Sequence, residues 1–370
     1  MKLSILVGLA SGIFGVHAST NAVLDAIVSE SSANIISILE ARTASNSSDS
    51  CNSENVVVRR EWAALSSVDK INYIDAVKCM MNTSAITPLS AAPGVRTRFD
   101  DFAALHINST SVIHWTSRFF TWHRYYTWLY EKALREECGY EGYQPYWDWS
   151  STDTLTAHPL FDGSETSIGG DGEAIPHSPY ILLPTPTVIN VTSAVGTGGG
   201  CIVSGPFANV TINLGPHGQP VHDRGLNYNP RCLTRDIREN DLRSLTYDNV
   251  AAVMVQDDFQ TYATLVEVGG GLHSSGHGVL GGFQDDLWGS AQDPSFHFHH
   301  GQVDRLWALW QGVNQTVRTK EVASTLTIMN LPPSEPGTLD TVVDMGYMGP
   351  SMTIGELSST IDGPFCYIYA

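Results

Sequence analysis

Positive charge is what this sequence has least of: 20 lysines and arginines stand against 38 aspartates and glutamates in 370 residues, a net charge of −18. So acidic a chain repels DNA, RNA and anionic membrane surfaces, which excludes nucleic acid and membrane as partners. Charged residues make up only 16% of the chain and hydrophobic ones 42%, the composition of a protein that buries a core rather than of a disordered one. Beyond the first residues, no apolar run of the ~20 residues needed to cross a membrane is read. No internal repeat is found. The glycine triplets Gly198-Gly199-Gly200 and Gly269-Gly270-Gly271 lack the strand-turn-helix setting of a phosphate-binding loop and read as turns.

The N-terminus carries what the rest lacks. Lys2, the apolar stretch Leu3 to Val16 and the small-residue pattern Val16-His17-Ala18 predict a secretory signal over residues 1–18, and hence a secreted, extracellular protein. Six cysteines, Cys51, Cys79, Cys138, Cys201, Cys232 and Cys366, predict three disulfides in an oxidising compartment. Fifteen pairings are open to six cysteines; Cys51–Cys366, Cys79–Cys138 and Cys201–Cys232 are expected, the first tying the chain ends together. Glycans are expected at six Asn-x-Ser/Thr sites, Asn46, Asn82, Asn108, Asn190, Asn209 and Asn314. Residues 19–50, polar and Ser-rich after an amphipathic stretch from Ala22 to Leu39, read as an N-terminal helix or a pro-segment ahead of one domain over 51–370.

Apolar spacing predicts helices near Ser67–Met81, over Ser117–Cys138 with Thr116 or Ser117 as N-cap and Gly139 as the stop, and over Asp257–Val268, His273–Leu280 and His297–Val313. Residues 150–235, rich in Gly, Pro, Thr and Asn, read as long loops with a few short strands. The fold class is therefore mainly α, one domain with long irregular connections.

The histidines are clustered. His106, His114 and His123 lie in one segment; His273, His277, His297, His299 and His300 lie in another; neither segment holds a cysteine. Imidazole suits zinc, copper, iron or nickel. His273 and His277 are four apart, about 40° on a helix, so both rings can reach one ion. The residues between them are Ser274-Ser275-Gly276, so the Glu of a His-Glu-x-x-His zinc protease is missing. Asp304, four beyond His300, is placed to accept that ring's second N–H. His114 precedes the predicted helix and can curl back toward His123, and Trp115, Phe119, Phe120 and Trp122 would wall the site. At this point two ions of copper or zinc, in an enzyme or in a binding module, all remain open.

Taken together, Trp122-His123-Arg124-Tyr125, Pro145-Tyr146-Trp147-Asp148-Trp149, His273-x-x-x-His277 and the run from Asp293-Pro294 through His299-His300 to Val303-Asp304-Arg305-Leu306-Trp307 resemble the tyrosinase family of type 3 copper proteins. The family comprises tyrosinases, catechol oxidases and molluscan haemocyanins. The resemblance implies a four-helix bundle holding a dicopper centre, with one copper on His106, His114 and His123 and the other on His273, His277 and His300. It places His299 just outside the ligands and leaves His297 to packing or the surface. It implies O2 and a small phenol as reactants.

The departures from the family pattern bear on activity. No Cys is near His106 or His114 for the family's Cys–His thioether. Gln302 stands where Asn is usual, and Thr121 where Pro is usual. In tyrosinases an Asn after the first of the paired histidines, with a nearby Glu, is taken to orient the water that deprotonates monophenols. Here that position is Ser274, the residue after the second is Gly278, and Glu267 is the water holder on offer. The substrate gate falls at about Leu287. These substitutions favour oxidation of o-diphenols or o-aminophenols over a tyrosinase's monophenol hydroxylation, with an oxygen carrier as a further alternative. Tyr367-Ile368-Tyr369 resembles the motif closing the family's catalytic domain, so a C-terminal plug is not expected.

Overall fold

The computed structural model describes residues 18–45, 51–179, 181–182, 191–215 and 225–370. The expected signal segment, apart from Ala18, and the sites Asn46 and Asn190 lie outside them.

The first described element is the long helix α1 (Ala18–Ala44), which buries Leu24, Ser31, Ile35 and Leu39. By length and apolar composition its Ala22–Ala44 portion suits a membrane span, which corrects the reading that no such stretch exists past the signal. Asp25, Glu30, Glu40 and Arg42 interrupt the run and hide it. In the fold the helix lies against protein. Ser31 fits against Gly312, where a side chain would strike its hydroxyl. The Asn34 amide donates to the carbonyls of Gly312 (3.1 Å) and Val313 (3.2 Å), and Arg42 donates to that of Ile361 (2.7 Å).

Helix α2 (Ser67–Met80) begins where its spacing predicts, the Ser66 hydroxyl accepting the Asp69 N–H. Helix α3 (Arg98–Ile113), which carries His106, is not among the helices that apolar spacing predicts. A capping box starts it, Thr97 Oγ1 accepting from the Asp100 N–H and the Asp100 carboxylate from the Thr97 N–H. Helix α4 (Phe119–Cys138) starts two residues later than expected. Trp115 sits at φ +50°, and the Ser117 N–H is spent on the Thr325 carbonyl (2.9 Å), so the chain is still turning there. Gly139, at φ +70°, ends α4 as the sequence indicates. Helix α5 (Tyr247–Met254) was not anticipated, whereas α6 (Phe259–Glu267), α7 (Leu272–Leu280) and α8 (Ser295–Val313) fall within two residues of their predicted bounds. Helices α3, α4, α7 and α8 form the bundle that carries the clustered histidines.

Residues 150–235 contain, among the described residues, only short elements, such as Gly172–Ala174 paired with Gly199–Ile202 and Thr211–Ile212 paired with Arg231–Cys232. All three disulfides pair as expected. Cys51–Cys366 stands beside a parallel pair of strands, Val57–Arg59 and Tyr367–Tyr369, that joins the two ends of the domain.

Candidate metal centre

His106 projects from the middle of α3, His114 caps that helix in an extended conformation, and His123 lies one turn into α4. One ring nitrogen from each lies within 4.8 Å of the others. The rings are oriented by main-chain carbonyls. His114 Nδ1 lies 3.0 Å from Thr110 O and His123 Nδ1 2.8 Å from Phe119 O, each four residues back, and His106 Nδ1 lies 2.7 Å from Trp288 O. A carbonyl only accepts, so each Nδ1 carries the proton and each Nε2 presents a lone pair. The Nε2 atoms of His106 and His123 are buried with no hydrogen-bond partner.

The second group is His273 and His277 on α7 with His299 and His300 on α8, again within 4.8 Å. Here the Nε2 atoms of His273 and His277 face each other at 3.1 Å. His277 Nδ1 is 2.7 Å from the side-chain oxygen of Gln284, whose own NH2 donates to Ser295 Oγ at 2.7 Å. His300 stacks on His123 (centroids 4.2 Å, 8° between planes) and lies 4.2 Å from Phe296, so it faces the first group. His299 packs against α7, where a Cβ on Gly276 would enter its ring, and against Trp149. His297 is buried and stacks on Tyr130 at 3.4 Å, which settles it as a packing residue rather than a surface one.

Burial holds these imidazoles neutral. His106 is pushed down to about 3 and His277 to about 4, while His114, His123, His273 and His300 are held well below the usual histidine range. Neutral nitrogen donors and no thiolate or carboxylate are what copper in an all-imidazole site requires. Buried unpartnered Nε2 atoms that a metal ion would satisfy make the fit specific.

Asp304 does not serve His300 as the helical spacing suggests. Its Oδ1 accepts from Arg124 Nε (2.5 Å) and its Oδ2 from the hydroxyls of Tyr367 and Tyr369 (2.6 Å each), with Arg59 Nη1 at 3.6 Å. Two guanidinium groups and two phenols outcompete one imidazole, and both nitrogens of His300 are without a hydrogen bond. The acid instead ties α4 and α8 to the strand Tyr367–Tyr369. Gln302 points away from the rings, donating to Asp148 at 3.3 Å.

The other candidates fall around the centre in different ways. Ser274 Oγ donates toward the carbonyls of Val268 (3.0 Å) and Gly271 (3.2 Å) and accepts from the Gly270 N–H, which commits it to the turn before α7. Glu267 is buried and its carboxylate accepts the Trp115 N–H at 2.7 Å, while its carbonyl accepts the Trp115 indole N–H at 2.7 Å. Burial pushes the Glu267 carboxyl well above its ordinary range. Gly278 leaves open space, a Cβ there meeting only the Arg238 guanidinium at 3.4 Å. Leu287 packs beside Ala92, Val95, Leu214 and Leu226, next to the Trp288 that orients His106. Sequence reasoning missed Gln284 and the role of Gly276, which belong to no motif, whereas Phe296 lies within the run from Asp293-Pro294 to His299-His300. All six cysteine sulfurs are in disulfides, so none is left for a thioether to a histidine.

A helical bundle closing on two groups of neutral histidines defines a dinuclear copper oxidoreductase, an enzyme with a type 3 centre. The description "Common central domain of tyrosinase" matches residues 96–313, and the chain belongs to the tyrosinase family. It is 40% identical over 328 residues to Tyrosinase P of Aspergillus terreus, covering 84% of this chain and 91% of that one. To the N-acetyl-6-hydroxytryptophan oxidase of Emericella nidulans it is 37% identical over 348 residues, covering 86% and 93%. A point mutant of a polyphenol oxidase from Thermothelomyces thermophila superposes with a TM-score of 0.88 at 38% identity, covering 94% and 98%.

Proposed function

We propose that this enzyme is an extracellular oxidase of o-diphenols, with o-aminophenols as related substrates. His106, His114 and His123 hold one copper; His273, His277 and His300 hold the other. Residues 1–18 are the signal, α1 stays packed on the enzyme, residues 51–370 carry the centre, and the six Asn-x-Ser/Thr sites carry glycans. The four described ones, Asn82, Asn108, Asn209 and Asn314, are exposed.

What the copper pair supplies when bound is electron transfer from two diphenols to one O2, which yields two o-quinones and two waters. The chain fixes the donors and keeps water away. Phe119 lies 4.8 Å from His123 and 4.7 Å from His273, and Phe296 closes on His106 and His300. Of the six ligands only His277 is not fully buried, so a phenol approaches on its side and stacks there.

The observation that carries the diphenol reading is the commitment of Ser274 to its own turn. Hydroxylating a monophenol calls for a base-oriented water. The one hydroxyl proton of Ser274 is directed at the carbonyls of Val268 and Gly271 and is not offered to such a water. A diphenol needs no such step. Oxygen uptake by the copper-loaded enzyme on a para-substituted phenol and its o-diphenol tests this. Uptake with the diphenol alone is expected; fast uptake with both would make the enzyme a tyrosinase and remove the role given to Ser274 and Gly278.

A further inference from the structure

A cavity of about 630 Å³ runs along the outer side of α3, away from the histidines, none of which lines it. Leu105, Asn108 and Val112 form its α3 wall at one-turn spacing, and Val342 and Tyr347 form the facing wall. Val112, Val342 and Tyr347 are 46%, 54% and 56% exposed, a concentration of apolar surface that isolated exposed residues do not make. Trp122 stands between this groove and His123, its indole N–H donated to the Asp344 carbonyl at 3.1 Å. The groove is thus walled off from the copper centre, and phenol oxidation does not account for it.

Asn108 heads the sequence Asn108-Ser109-Thr110, and its exposed side chain lies in the wall of the groove. Asn82, Asn209 and Asn314 do not line it. We infer that the groove is the seat of the N-linked oligosaccharide borne by Asn108, which covers the apolar wall with its first sugars. N-acetylhexosamine has the matching chemistry. Its apolar ring face and acetyl methyl suit Tyr347 and Val112, and its hydroxyls suit Asp344 and Arg118 at the polar end. A glycan rooted within the groove excludes a protein partner from it.

The inference rests on the reading that the chain is exported, so the test separates the two. The enzyme is secreted from a eukaryotic host, treated with an endoglycosidase in its native state, and release is followed site by site by glycopeptide mass spectrometry. Asn108 is expected to be occupied and to release about tenfold more slowly than Asn314, the factor that a modest seating energy produces. In Tyr347→Ser the two sites should release at equal rates. Equal rates in the unaltered enzyme, or a bare Asn108 beside an occupied Asn314, would overturn the seat alone. Failure of the full chain to reach the medium would overturn the export reading with it. A bare Asn108 with concentration-dependent dimers lost in Tyr347→Ser would give the groove to a second copy of the chain.

Discussion

The two halves of the copper centre are built by different means. In the first, the rings of His114 and His123 are aimed by carbonyls four residues back in the same stretch of chain. Backbone supplies these partners whatever the neighbouring side chains are. In the second, no ring is aimed that way. His277 depends on the Gln284 side chain, His299 on the space left by Gly276, and His300 on stacking with His123 and Phe296. Two of the three rings of the first half are therefore aimed locally, His106 alone relying on the distant Trp288 carbonyl, whereas the second half is arranged by side-chain packing. It follows that the second half is the more easily broken by substitutions outside the ligands.

The sharpest way to test the comparison is within the pair His299-His300. Both rings lie within reach of one ion, yet only His300 faces the first group, while His299 is turned onto α7. His300→Ala should abolish diphenol oxidation and lose one copper per chain by metal analysis. His299→Ala should keep most of its copper. The reverse result would exchange the roles of the two residues and place the second copper closer to α7.

The same contrast explains what the sequence allowed to be read. His123 on α4 and the pair His273 and His277 on α7 follow from helical period and a glycine stop, because a single stretch of chain decides them. The start of α4 was misjudged by two residues because Trp115 takes a left-handed turn held by Glu267, 152 positions away. Asp304 was assigned to His300 on spacing alone. Spacing puts the two on one helical face but says nothing of Arg59, Arg124, Tyr367 and Tyr369, which arrive from other parts of the chain and take the carboxylate. Gln284 carried no signal, since a glutamine seven residues after a histidine belongs to no pattern. Local rules recovered α2, α4, α6, α7 and α8 and the ligand types but not α3 or α5, and the groups that orient His106 and His300 come from distant parts of the chain.

Both halves share one liability, which acid should expose in the metal-free protein. Burial keeps the rings neutral, with His106 held at about 3, His277 at about 4, and His114, His123, His273 and His300 well below the ordinary range. The folded values lie below the unfolded one of ~6.5, so the unfolded chain binds the extra protons. The stability tied to neutral rings is complete above that pH and is lost as pH falls below it, by about 1.4 kcal/mol per pH unit for each ring that stays neutral. The Tm of the metal-free protein should fall steeply between about pH 6.5 and 5, the range just below the free-histidine value. Copper-loaded protein should hold its Tm further into acid, because bound metal occupies the nitrogens that protons seek. A flat metal-free profile would show that the rings are not held neutral by the fold.

The smallest effect expected singles out the second half. Gln284 Oε1 accepts from His277 Nδ1, and its NH2 is anchored on Ser295, so the amide fixes both the tautomer and the tilt of that ring. Gln284→Leu keeps the volume and removes the acceptor, leaving a buried N–H without a partner. Losing such an orienting partner typically costs ~10–100-fold in metal affinity. Copper should dissociate from one site of two under mild chelation, while the site on His106, His114 and His123 retains its metal. Gln284→Glu restores an acceptor and makes it anionic, so it should recover copper retention and shift the copper absorption and the redox potential, which a purely packing role would leave alone. Equal loss from both sites in Gln284→Leu would mean that the halves are coupled more tightly than their separate construction indicates, and that the stack of His300 on His123 transmits the disturbance across the centre.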